Sequence, residues 1–443
     1  MNLQRCFLLF LFGLLCRVES VAQIGAVAVY SLDDCLKISS SKNLDVQVAQ
    51  AQLQTAAADI TGAFGTFLPS LSANAGYSRR LNEQGGAQLN VGGFAPPSNS
   101  YSLGLNANYV IFNGFSREAY YDRAQKNLSV LESSNIQLNN QVRFNIWQQY
   151  IAVQRNAQIV KIRQENLEIG KKQLERSRAR YGAGVVPVTD IYAQEADNGS
   201  RELDIVQAEN QLNNAKAQLL ATMGLDPAQN ADFSESGLTA EISDEVLRNF
   251  RDETGSIDAI IQRAVAKRSD IIAADTRIEA AQATLRSSRS GYFPTVSAFG
   301  GWSWSNYEIS DFDKFGRSFI GLNLNVPIFD NFSTNTQIET AAFQLKQAQI
   351  ERVRIEQTIR TQAQSAVLNL VSAEKQLEVA KRALKSAELN LKSAQERFNV
   401  GTAQITDYLL ANTQFATAAI NQINAFFAYR EAQAQIRFIS GSL

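Results

Sequence analysis

Four short segments of the chain alternate hydrophobic and small polar residues. Between positions 103 and 111 the apolar residues are Leu103, Leu105, Ala107, Tyr109 and Ile111, with Gly104, Asn106, Asn108 and Val110 between them. A period of two predicts a β-strand with one apolar face and one nearly polar face. The segments 71–77, 296–304 and 320–328 show the same alternation. We therefore expect four strands, arranged as two hairpins.

Between the strands the hydrophobic period becomes that of a helix. A 4-3-4-3 spacing runs without a break through Ala366, Leu370, Ala373, Leu377, Ala380, Leu384, Ala387, Leu391, Ala394 and Phe398. The matching positions of the first half are Val153, Val160, Leu167, Leu174 and Tyr181. This spacing predicts the seam of a coiled coil. The segment 115–181 has 67 residues and no proline, so as one helix it would reach about 100 Å at 1.5 Å per residue.

The two halves of the chain have similar sequences. The sequence "RYGAGVVPVTD" at 180–190 matches "RFNVGTAQITD" at 397–407, a shift of 217 residues that also aligns 103–115 with 320–332. Further upstream, "GTFLPSLSA" at 65 and "SGYFPTVSA" at 290 align only with a shift of 225, because a Gly-, Asn- and Pro-rich loop at 82–100 lengthens the first half. We predict a tandem repeat in which each half contains a helix, a β-hairpin, a long helix, a tip turn and a return helix. The expected bounds are 23–226 for repeat 1, 227–255 for a linker and 256–443 for repeat 2.

The two matched motifs predict helix reversals. They consist of Arg180, Tyr181, Gly184, Thr189 and Asp190 in the first copy, and Arg397, Phe398, Gly401, Thr406 and Asp407 in the second. The aromatic residue is expected to close the seam, and the glycine to end the helix with a positive φ. The Thr-Asp pair is expected to supply an N-cap and a first-turn carboxylate for the return helix. Helix capping alone explains such a motif without any function.

The first 22 residues have the features of a secretory signal peptide: Arg5, an apolar run from Cys6 to Leu15 and small residues before position 23. Cys16 suggests lipid attachment, but Leu15 is bulkier than such a site prefers. Cleavage would leave Cys35 as the single cysteine of an exported chain, without an intramolecular disulfide. The remaining 40 basic and 42 acidic residues give a net charge of about −2, which argues against a nucleic-acid partner.

Several classes of enzyme are excluded by composition. The chain contains no His, no cysteine pair after the leader and no Gly-rich phosphate loop before a helix. Most metal sites, Ser-His triads and nucleotide-binding folds need these elements. We therefore predict a protein that is not an enzyme and that has no catalytic, cofactor or metal site.

The duplicated strand-helix plan resembles the TolC family of outer-membrane channel proteins. The resemblance rests on "FLPSLSA", "YFPTVSA" and the tips "AGVVPVTD" and "VGTAQITD", and it extends over essentially the whole mature chain. It implies an α+β membrane protein in which long antiparallel coiled-coil helices form a periplasmic α-barrel. Four strands are too few to close a membrane barrel, for which about eight are the minimum. A homotrimer would supply a 12-stranded outer-membrane β-barrel surrounded by lipid.

The resemblance also implies a function. The protein would be an exit duct in the outer membrane of a Gram-negative bacterium, extending into the periplasm and gated at its periplasmic helix tips. Its partners would be a periplasmic adaptor (membrane fusion) protein and an inner-membrane pump of the RND, ABC or MFS type. Drug efflux and type I secretion both remain open, as does the cargo. The alternative is an elongated periplasmic coiled-coil scaffold or adhesin, which would explain the heptads but not the strands.

The resemblance assigns roles to the tips. Asp190 and Asp407 would form a ring of carboxylates in a narrow pore, where they attract cations, although each carboxylate also serves as a helix cap. In the family, the tips can be held shut by a basic residue two places after the second-tip glycine. Here that residue is Ala403, and Phe398 stands where a tyrosine hydroxyl would join, so we do not expect that set of links. Arg180 and Arg397 either pair with acids of neighbouring helices or remain solvated at the helix ends.

Aromatic residues lie near the strand ends or on the apolar faces of the strands. Tyr77, Trp302, Trp304 and Tyr307 suit a girdle at the lipid interface. Ordinary packing within the sheet is the alternative for these four side chains. The faces rich in Asn and Ser are expected to line a water-filled lumen.

Overall fold

A computed structural model describes residues 28–79, 81, 99–235, 242–309, 312 and 314–441. The predicted signal peptide, Cys16 and most of the 82–100 loop lie outside these residues. Within them, no helix is long and apolar enough to cross a membrane.

Helices and strands follow each other in the same order in both halves of the described chain, except that the second half has one additional short helix after its first strand. They are β1 (Ala28–Tyr30), α1 (Leu32–Lys42), α2 (Leu44–Gly65), β2 (Ser70–Arg79), β3 (Asn99–Phe112), α3 (Ser116–Gly182), α4 (Val188–Met223), β4 (Ala231–Phe233), α5 (Asp244–Thr254), α6 (Ile257–Lys267), α7 (Ser269–Arg289), β5 (Thr295–Asn306), β6 (Gly316–Asn325), α8 (Ser333–Asn399) and α9 (Ile405–Ile439). The starts of β3, α3 and α4 each return 217 residues later as the starts of β6, α8 and α9. The predicted internal repeat is therefore confirmed in the fold.

The four predicted strands form one antiparallel sheet in the order β2-β3-β5-β6. Each predicted hairpin keeps its own pair, and β3 pairs with β5 to join the two halves. The polar faces of neighbouring strands lie on the same side, since Asn106 is opposite Gly301 and Asn74 is opposite Gly104. Across this face Asn106 Nδ2 donates to Asn74 Oδ1 at 3.0 Å. The predicted period of two is confirmed.

The passage from sheet to long helix has the same backbone form in both halves. The N-cap residues Phe115 and Phe332 have φ values of 65° and 64°, in the left-handed region that non-glycine residues seldom occupy. Gly114 also has a positive φ, and a Cβ there would lie 2.7 Å from Phe293 Cβ. This tight turn directs each long helix away from the strand that precedes it.

The two long helices, α3 and α8, each contain 67 residues. Their predicted seam is largely buried, with Val153 and Val160 inside the first hairpin and Leu370 and Leu377 inside the second. The helix predicted over 115–181 is observed at 116–182. The apolar heptads therefore located the ends of the first helix to within one residue. The seam predicted for the second helix, 366–398, covers about the C-terminal half of α8.

A two-stranded parallel sheet at mid-chain was not predicted. In this sheet Ala28 pairs with Ala231 and Tyr30 with Phe233. It packs on a core formed mainly by α1, α3 and α4, whose fully buried members include Tyr150, Leu219, Leu220 and Met223. Strands of three residues are too short for a period of two to be recognised.

Cys35 belongs to that same core. Its side chain is fully buried, and burial together with nearby Asp34 raises the pKa of the thiol to about 12. A thiol with so little thiolate is chemically inert at neutral pH.

Candidate functional site

Both tip turns end their long helix with the same hydrogen-bonded motif. In the first tip, Gly184 N–H donates to Tyr181 O at 2.8 Å and Val185 N–H donates to Arg180 O at 2.9 Å. In the second tip the corresponding distances are 3.1 Å and 2.9 Å. These are the two bonds of a Schellman motif. Gly184 and Gly401 have φ values of 74° and 78°, and the space around their missing Cβ atoms is open, so the positive φ is what requires glycine.

The return helices begin earlier than predicted. The N-cap residues are Pro187 and Gln404, so Thr189 and Thr406 lie within the first turn and the predicted threonine N-caps are wrong. Threonine is a favoured N-cap residue, but Pro187 and Gln404 already have the extended backbone of an N-cap. Asp190 and Asp407 do lie in the first turns, as predicted.

The two aspartates differ in what they bind. Asp407 Oδ2 accepts a hydrogen bond from the backbone N–H of Gln404 at 3.3 Å. The corresponding bond is impossible in the first tip, because Pro187 has no N–H. Asp190 is partly buried and Asp407 is exposed, so both carboxylates lie at the outer ends of their hairpins with access to solvent.

The second tip has a small apolar core of its own. Phe398, Ile405 and Tyr408 are buried together, and Leu391 and Ala193 pack against them. The rings of Phe398 and Tyr408 stack with their centroids 5.9 Å apart. Phe398 therefore closes the seam of its hairpin, as predicted.

Arg180 connects the first tip to the second. Its guanidinium carbon lies 5.2 Å from the centroid of the Phe398 ring, and its Nη1 donates to Phe398 O at 3.3 Å. We considered two roles for Arg180, pairing with an acidic residue and solvation at the helix end. The structure shows neither of them: the guanidinium contacts an aromatic ring and a carbonyl at a helix end. The counterpart Arg397 is exposed.

Tyr181 does not repeat the arrangement of Phe398. Its side chain is 47% exposed, whereas that of Phe398 is 3% exposed. The prediction that Tyr181 closes a seam is wrong, because no counterpart of the Phe398–Tyr408 stack exists there: the residue equivalent to Tyr408 is Ile191.

A buried polar cluster lies on the side of the tips nearer the sheet. Arg201 of α4 donates through Nη1 to the backbone oxygen of Asn166 at 2.7 Å and to its side-chain oxygen at 2.8 Å. Its Nη2 forms an ion pair with Asp197 at 2.7 Å. Asn412 of α9 contributes an amide to the same guanidinium, 2.9 Å from Nη1 when the amide oxygen faces it. One side chain thus joins α3, α4 and α9.

The cluster depends on a close approach of α4 to α3 at Gly170. A Cβ atom at this position would overlap the side-chain oxygen of Asn198. Asn198 and the neighbouring Gln194 are both buried, and Gln194 Nε2 donates to Asn198 Oδ1 at 3.2 Å. Glycine inside a helix is otherwise unfavourable, so its place here is explained by packing.

The second hairpin has no such cluster at the corresponding positions. The residues equivalent to Asn166, Gly170, Asn198 and Arg201 are Ala383, Ala387, Phe415 and Ala418. Ala383 and Ala418 instead line an open groove of about 920 Å³ between α8 and α9, which Arg155 of α3 also borders. Sequence reasoning missed Arg201, although comparing the two repeats position by position reveals the exchange of arginine for alanine.

The four aromatic residues assigned to a lipid girdle have different environments. Tyr77 and Tyr307 are exposed, and Trp302 is partly buried. Trp304 is 1% exposed and stacks on Phe312 with centroids 4.5 Å apart. A girdle role for Trp304 is therefore wrong, since Phe312 covers its ring.

The polar face of the sheet also carries two phenylalanines that were not expected there. Phe299 and Phe319 lie on the same side as Asn106 and Asn323, with ring centroids 6.3 Å apart. Gly321 and Gly301 leave room for these rings, because a Cβ at either glycine would lie within 3.0 Å of a ring atom. Among the described residues, no group of acidic or cysteine side chains is placed to hold a metal ion.

The paired strands, the two 67-residue helices and the two tips agree with a known family. The sequence model of the outer membrane efflux proteins matches residues 36–225 and 260–442. The chain belongs to this family. It is 23% identical to the outer membrane protein TolC of Vibrio cholerae over 413 residues, which cover 91% of this chain and 90% of that protein. It is 24% identical to the pyoverdine export outer membrane protein OpmQ of Pseudomonas aeruginosa, over 68% of this chain and 61% of that protein.

Solved structures of outer-membrane channels share the fold of this outer membrane efflux protein. The CmeC channel of Campylobacter jejuni superposes with a TM-score of 0.80 at 18% identity, covering 93% of this chain and 85% of that one. CusC superposes with a TM-score of 0.76 at 18% identity, covering 96% of each chain.

Family membership fixes the general activity. The chain is an exit duct of an efflux system, located in the outer membrane of a Gram-negative bacterium and extending into the periplasm. Proteins of this family are transport channels that work with a periplasmic adaptor and an inner-membrane pump.

Proposed function

We propose that three copies of this chain form one duct, each contributing four strands to a 12-stranded barrel in the outer membrane. The observation that carries this proposal is the sheet itself. Its edge strands β2 and β6 each pair with one other strand of the described chain, and open strand edges invite pairing with another chain.

The apolar face of the sheet supports the same proposal. Leu71, Ile320 and Leu322 are 81%, 92% and 73% exposed in the single chain. Exposed apolar patches of this kind mark contacts with lipid or with another protein. In a closed ring these side chains face lipid while the opposite, mostly polar face lines the lumen.

The two tips of each chain form the periplasmic mouth in this proposal. Asp190 and Asp407 then give up to six carboxylates around a three-fold axis, where like charges at close range attract cations. The residues of the tip turns, Gly184 and Gly401 with Thr189 and Thr406, set the backbone that presents these carboxylates. We assign no chemical reaction to the chain.

The proposed partners are the adaptor, an inner-membrane pump of the RND, ABC or MFS type, and outer-membrane lipid. In this proposal the adaptor docks on the groove between helices α8 and α9, which is lined mainly by alanine, threonine and amide side chains. The alternative function is an elongated scaffold or adhesin without channel activity. It does not explain what would cover the exposed apolar face of the sheet.

The first experiment is the molar mass of the mature protein purified from membranes in mild detergent, measured by light scattering corrected for bound detergent. We expect the mass of a trimer. A monomer or dimer that stays soluble without detergent would replace the duct by the scaffold.

The carboxylate ring is tested in planar bilayers. Replacing Asp407 by Ala should lower cation selectivity, measured as the reversal potential in a salt gradient, and weaken block by multivalent cations. Glu388→Ala, at an exposed site on α8, is the control for a general change in charge. Unchanged selectivity after both Asp190→Ala and Asp407→Ala would exclude the ring.

A further inference from the structure

Two aromatic rings lie on the otherwise polar face of the second hairpin. Phe299 of β5 lies opposite Gly321 of β6, and Phe319 of β6 lies opposite Gly301 of β5. A Cβ at Gly321 would lie 2.5 Å from Phe299 Cζ, and one at Gly301 would lie 3.0 Å from Phe319 Cζ, so each ring reaches over the glycine of the neighbouring strand. Both side chains are nonetheless exposed, at 41% and 42%. The rings thus rest on the sheet and stay open on its polar side.

The first hairpin has the same glycines but different residues opposite them. At the shifts that align the repeats, the two glycines correspond to Gly104 and Gly76, and the two phenylalanines correspond to Asn74 and Ser102. Asn74 lies opposite Gly104, and Ser102 lies opposite Gly76. A Cβ at these glycines would lie 2.6 Å from Asn74 Oδ1 and 2.7 Å from Ser102 Oγ. Because the strands pair in the same way with small polar residues, the pairing itself does not require the two rings.

A positive charge lies beside the rings. Arg317 precedes Phe319 by two residues on the same face of β6, about 7 Å away along the strand, and its side chain is exposed. Of the polar-face residues that pair in the described sheet, Arg317 alone is charged. Its counterpart in the first hairpin is Ser100. The guanidinium and the two rings therefore occur together in one hairpin and are all replaced in the other.

We propose that Phe299, Phe319 and Arg317 form a contact site for a planar aromatic anion in the lumen of the duct. The aromatic part of such a solute packs on the phenylalanine rings, and its carboxylate or sulfonate group pairs with the guanidinium. A cation is also attracted to the face of an aromatic ring, but here the guanidinium would repel it. The site rests on the proposed barrel, in which the polar face lines the lumen and each copy presents one such site.

Block of single channels in planar bilayers measures the site. Naphthalenesulfonate, a planar aromatic anion, is added on the side of the strands, so that it reaches the site without passing the carboxylates of the tips. Cyclohexanesulfonate has the same charge without an aromatic ring, and naphthylmethylammonium has the ring with the opposite charge. The concentration that gives half of the largest reduction in current, the half-effect concentration, should be about tenfold lower for naphthalenesulfonate than for either matched solute.

Replacing the rings by the residues of the first hairpin should remove this preference. In the double variant Phe299→Asn with Phe319→Ser, the half-effect concentration of naphthalenesulfonate should rise about tenfold, whereas that of cyclohexanesulfonate should not change. Arg317→Gln should abolish the preference for naphthalenesulfonate over naphthylmethylammonium. Arg79→Gln, on the apolar face of β2, is the matched control for the loss of a positive charge. Because Arg317 is exposed, its variant remains informative even if the double variant does not fold.

Moving the site to the first hairpin should restore it. In the double variant without rings, the further substitutions Asn74→Phe, Ser102→Phe and Ser100→Arg place the three side chains over Gly104 and Gly76. The glycines already there leave room for the rings, as they do in the second hairpin. The half-effect concentration of naphthalenesulfonate should return to that of the original chain. This rescue distinguishes a binding site from a general effect of the rings on the stability of β5 and β6.

Thiol labelling separates the site from the proposed duct. A charged thiol reagent should change the conductance of Ser303→Cys, on the polar face, and leave that of Leu322→Cys, on the apolar face, unchanged. The native Cys35 is fully buried and does not contribute. With this labelling pattern, equal block of the original chain and the double variant by naphthalenesulfonate overturns the site and leaves the duct standing. Equal block by naphthalenesulfonate and naphthylmethylammonium overturns the assignment to an anion. Labelling of Leu322→Cys instead of Ser303→Cys overturns the proposed barrel, and the site with it.

Discussion

The two helical hairpins have nearly the same backbone and different interiors. Both begin with a 67-residue helix, turn through the same Schellman motif and return from a residue with an extended N-cap. The second tip is filled by Phe398, Ile405 and Tyr408, while the first leaves Tyr181 exposed. In the first hairpin Arg201 of α4 binds Asn166 of α3. The second hairpin has Ala418 at the equivalent position, and an open groove lies there.

This difference shows which part of a duplicated unit is free to change. The backbone turn needs only a glycine with positive φ and a run of helix-forming residues, so it is preserved in both copies. The side chains inside the two hairpins differ: the second tip stacks Phe398 on Tyr408, and the first tip has Ile191 in place of Tyr408. Three of the four predictions that follow compare equivalent positions of the two hairpins, and the second compares two glycines of the first hairpin.

The largest difference is expected at the aromatic position. Phe398→Ala removes a buried ring and should lower the free energy of unfolding by about 3–5 kcal/mol. Tyr181→Ala removes an exposed ring and should change it by less than about 1 kcal/mol. Urea unfolding in mild detergent, followed by helical circular dichroism, measures both. Equal losses would mean that the tips have equivalent cores.

The helix-interior glycine gives the next largest effect. Gly170→Ala forces a Cβ against the buried Asn198 and should destabilise the chain by about 1–3 kcal/mol. At an open glycine the same exchange stabilises a helix by about 0.5–1 kcal/mol. Gly199→Ala of α4, around which no atom lies within 4 Å, is the control with the opposite expected sign. Stabilisation by both substitutions would show that α3 and α4 do not need their close approach.

Arg180 links the tips, so its loss should affect the mouth more than the fold. A cation–π contact contributes about 0.5–2 kcal/mol, and about 1.4 kcal/mol is a factor of ten in an equilibrium. In the proposed duct this contact belongs to the closed mouth and is lost on opening, so Arg180→Ala should raise the open probability of single channels by about tenfold, with the melting temperature little changed. Arg397→Ala, at the exposed equivalent position, should leave both unchanged. An identical response of the two variants would contradict the link.

The smallest difference is expected at the first-turn aspartates. Asp407→Ala loses both the hydrogen bond to Gln404 N–H and the helix-dipole interaction, a cost of about 1 kcal/mol. Asp190→Ala loses the dipole interaction alone, about 0.5 kcal/mol. The same urea midpoints measure both, and the double variant Pro187→Gln with Asp190→Ala tests whether the proline causes the difference. A larger cost at Asp190 would reverse this assignment.

The sequence predicted the architecture because its signals are long and periodic. Ten seam residues in 4-3-4-3 spacing predicted the C-terminal half of the second long helix, and four alternating segments predicted the sheet. It did not predict β1 and β4, which are three residues each. Nor did it predict the exposure of Tyr181, the burial of Trp304 or the contacts of Arg180 and Arg201. These depend on which residue lies across a helix or loop distant in sequence, and a local pattern contains no information about that residue.

The pairing of β3 with β5, which joins the two halves of the sheet, also bears on ancestry. A half-length ancestor with one hairpin would have offered two strands per copy, and six copies would have completed the twelve-stranded ring that we propose. Such a ring has six identical tips, and every mutation in one appears in all. Fusion of two halves into one chain broke that constraint, since alternate positions around the mouth could then evolve separately. The exposed Tyr181 and the buried Phe398, which occupy equivalent places in the two halves, show such separate change.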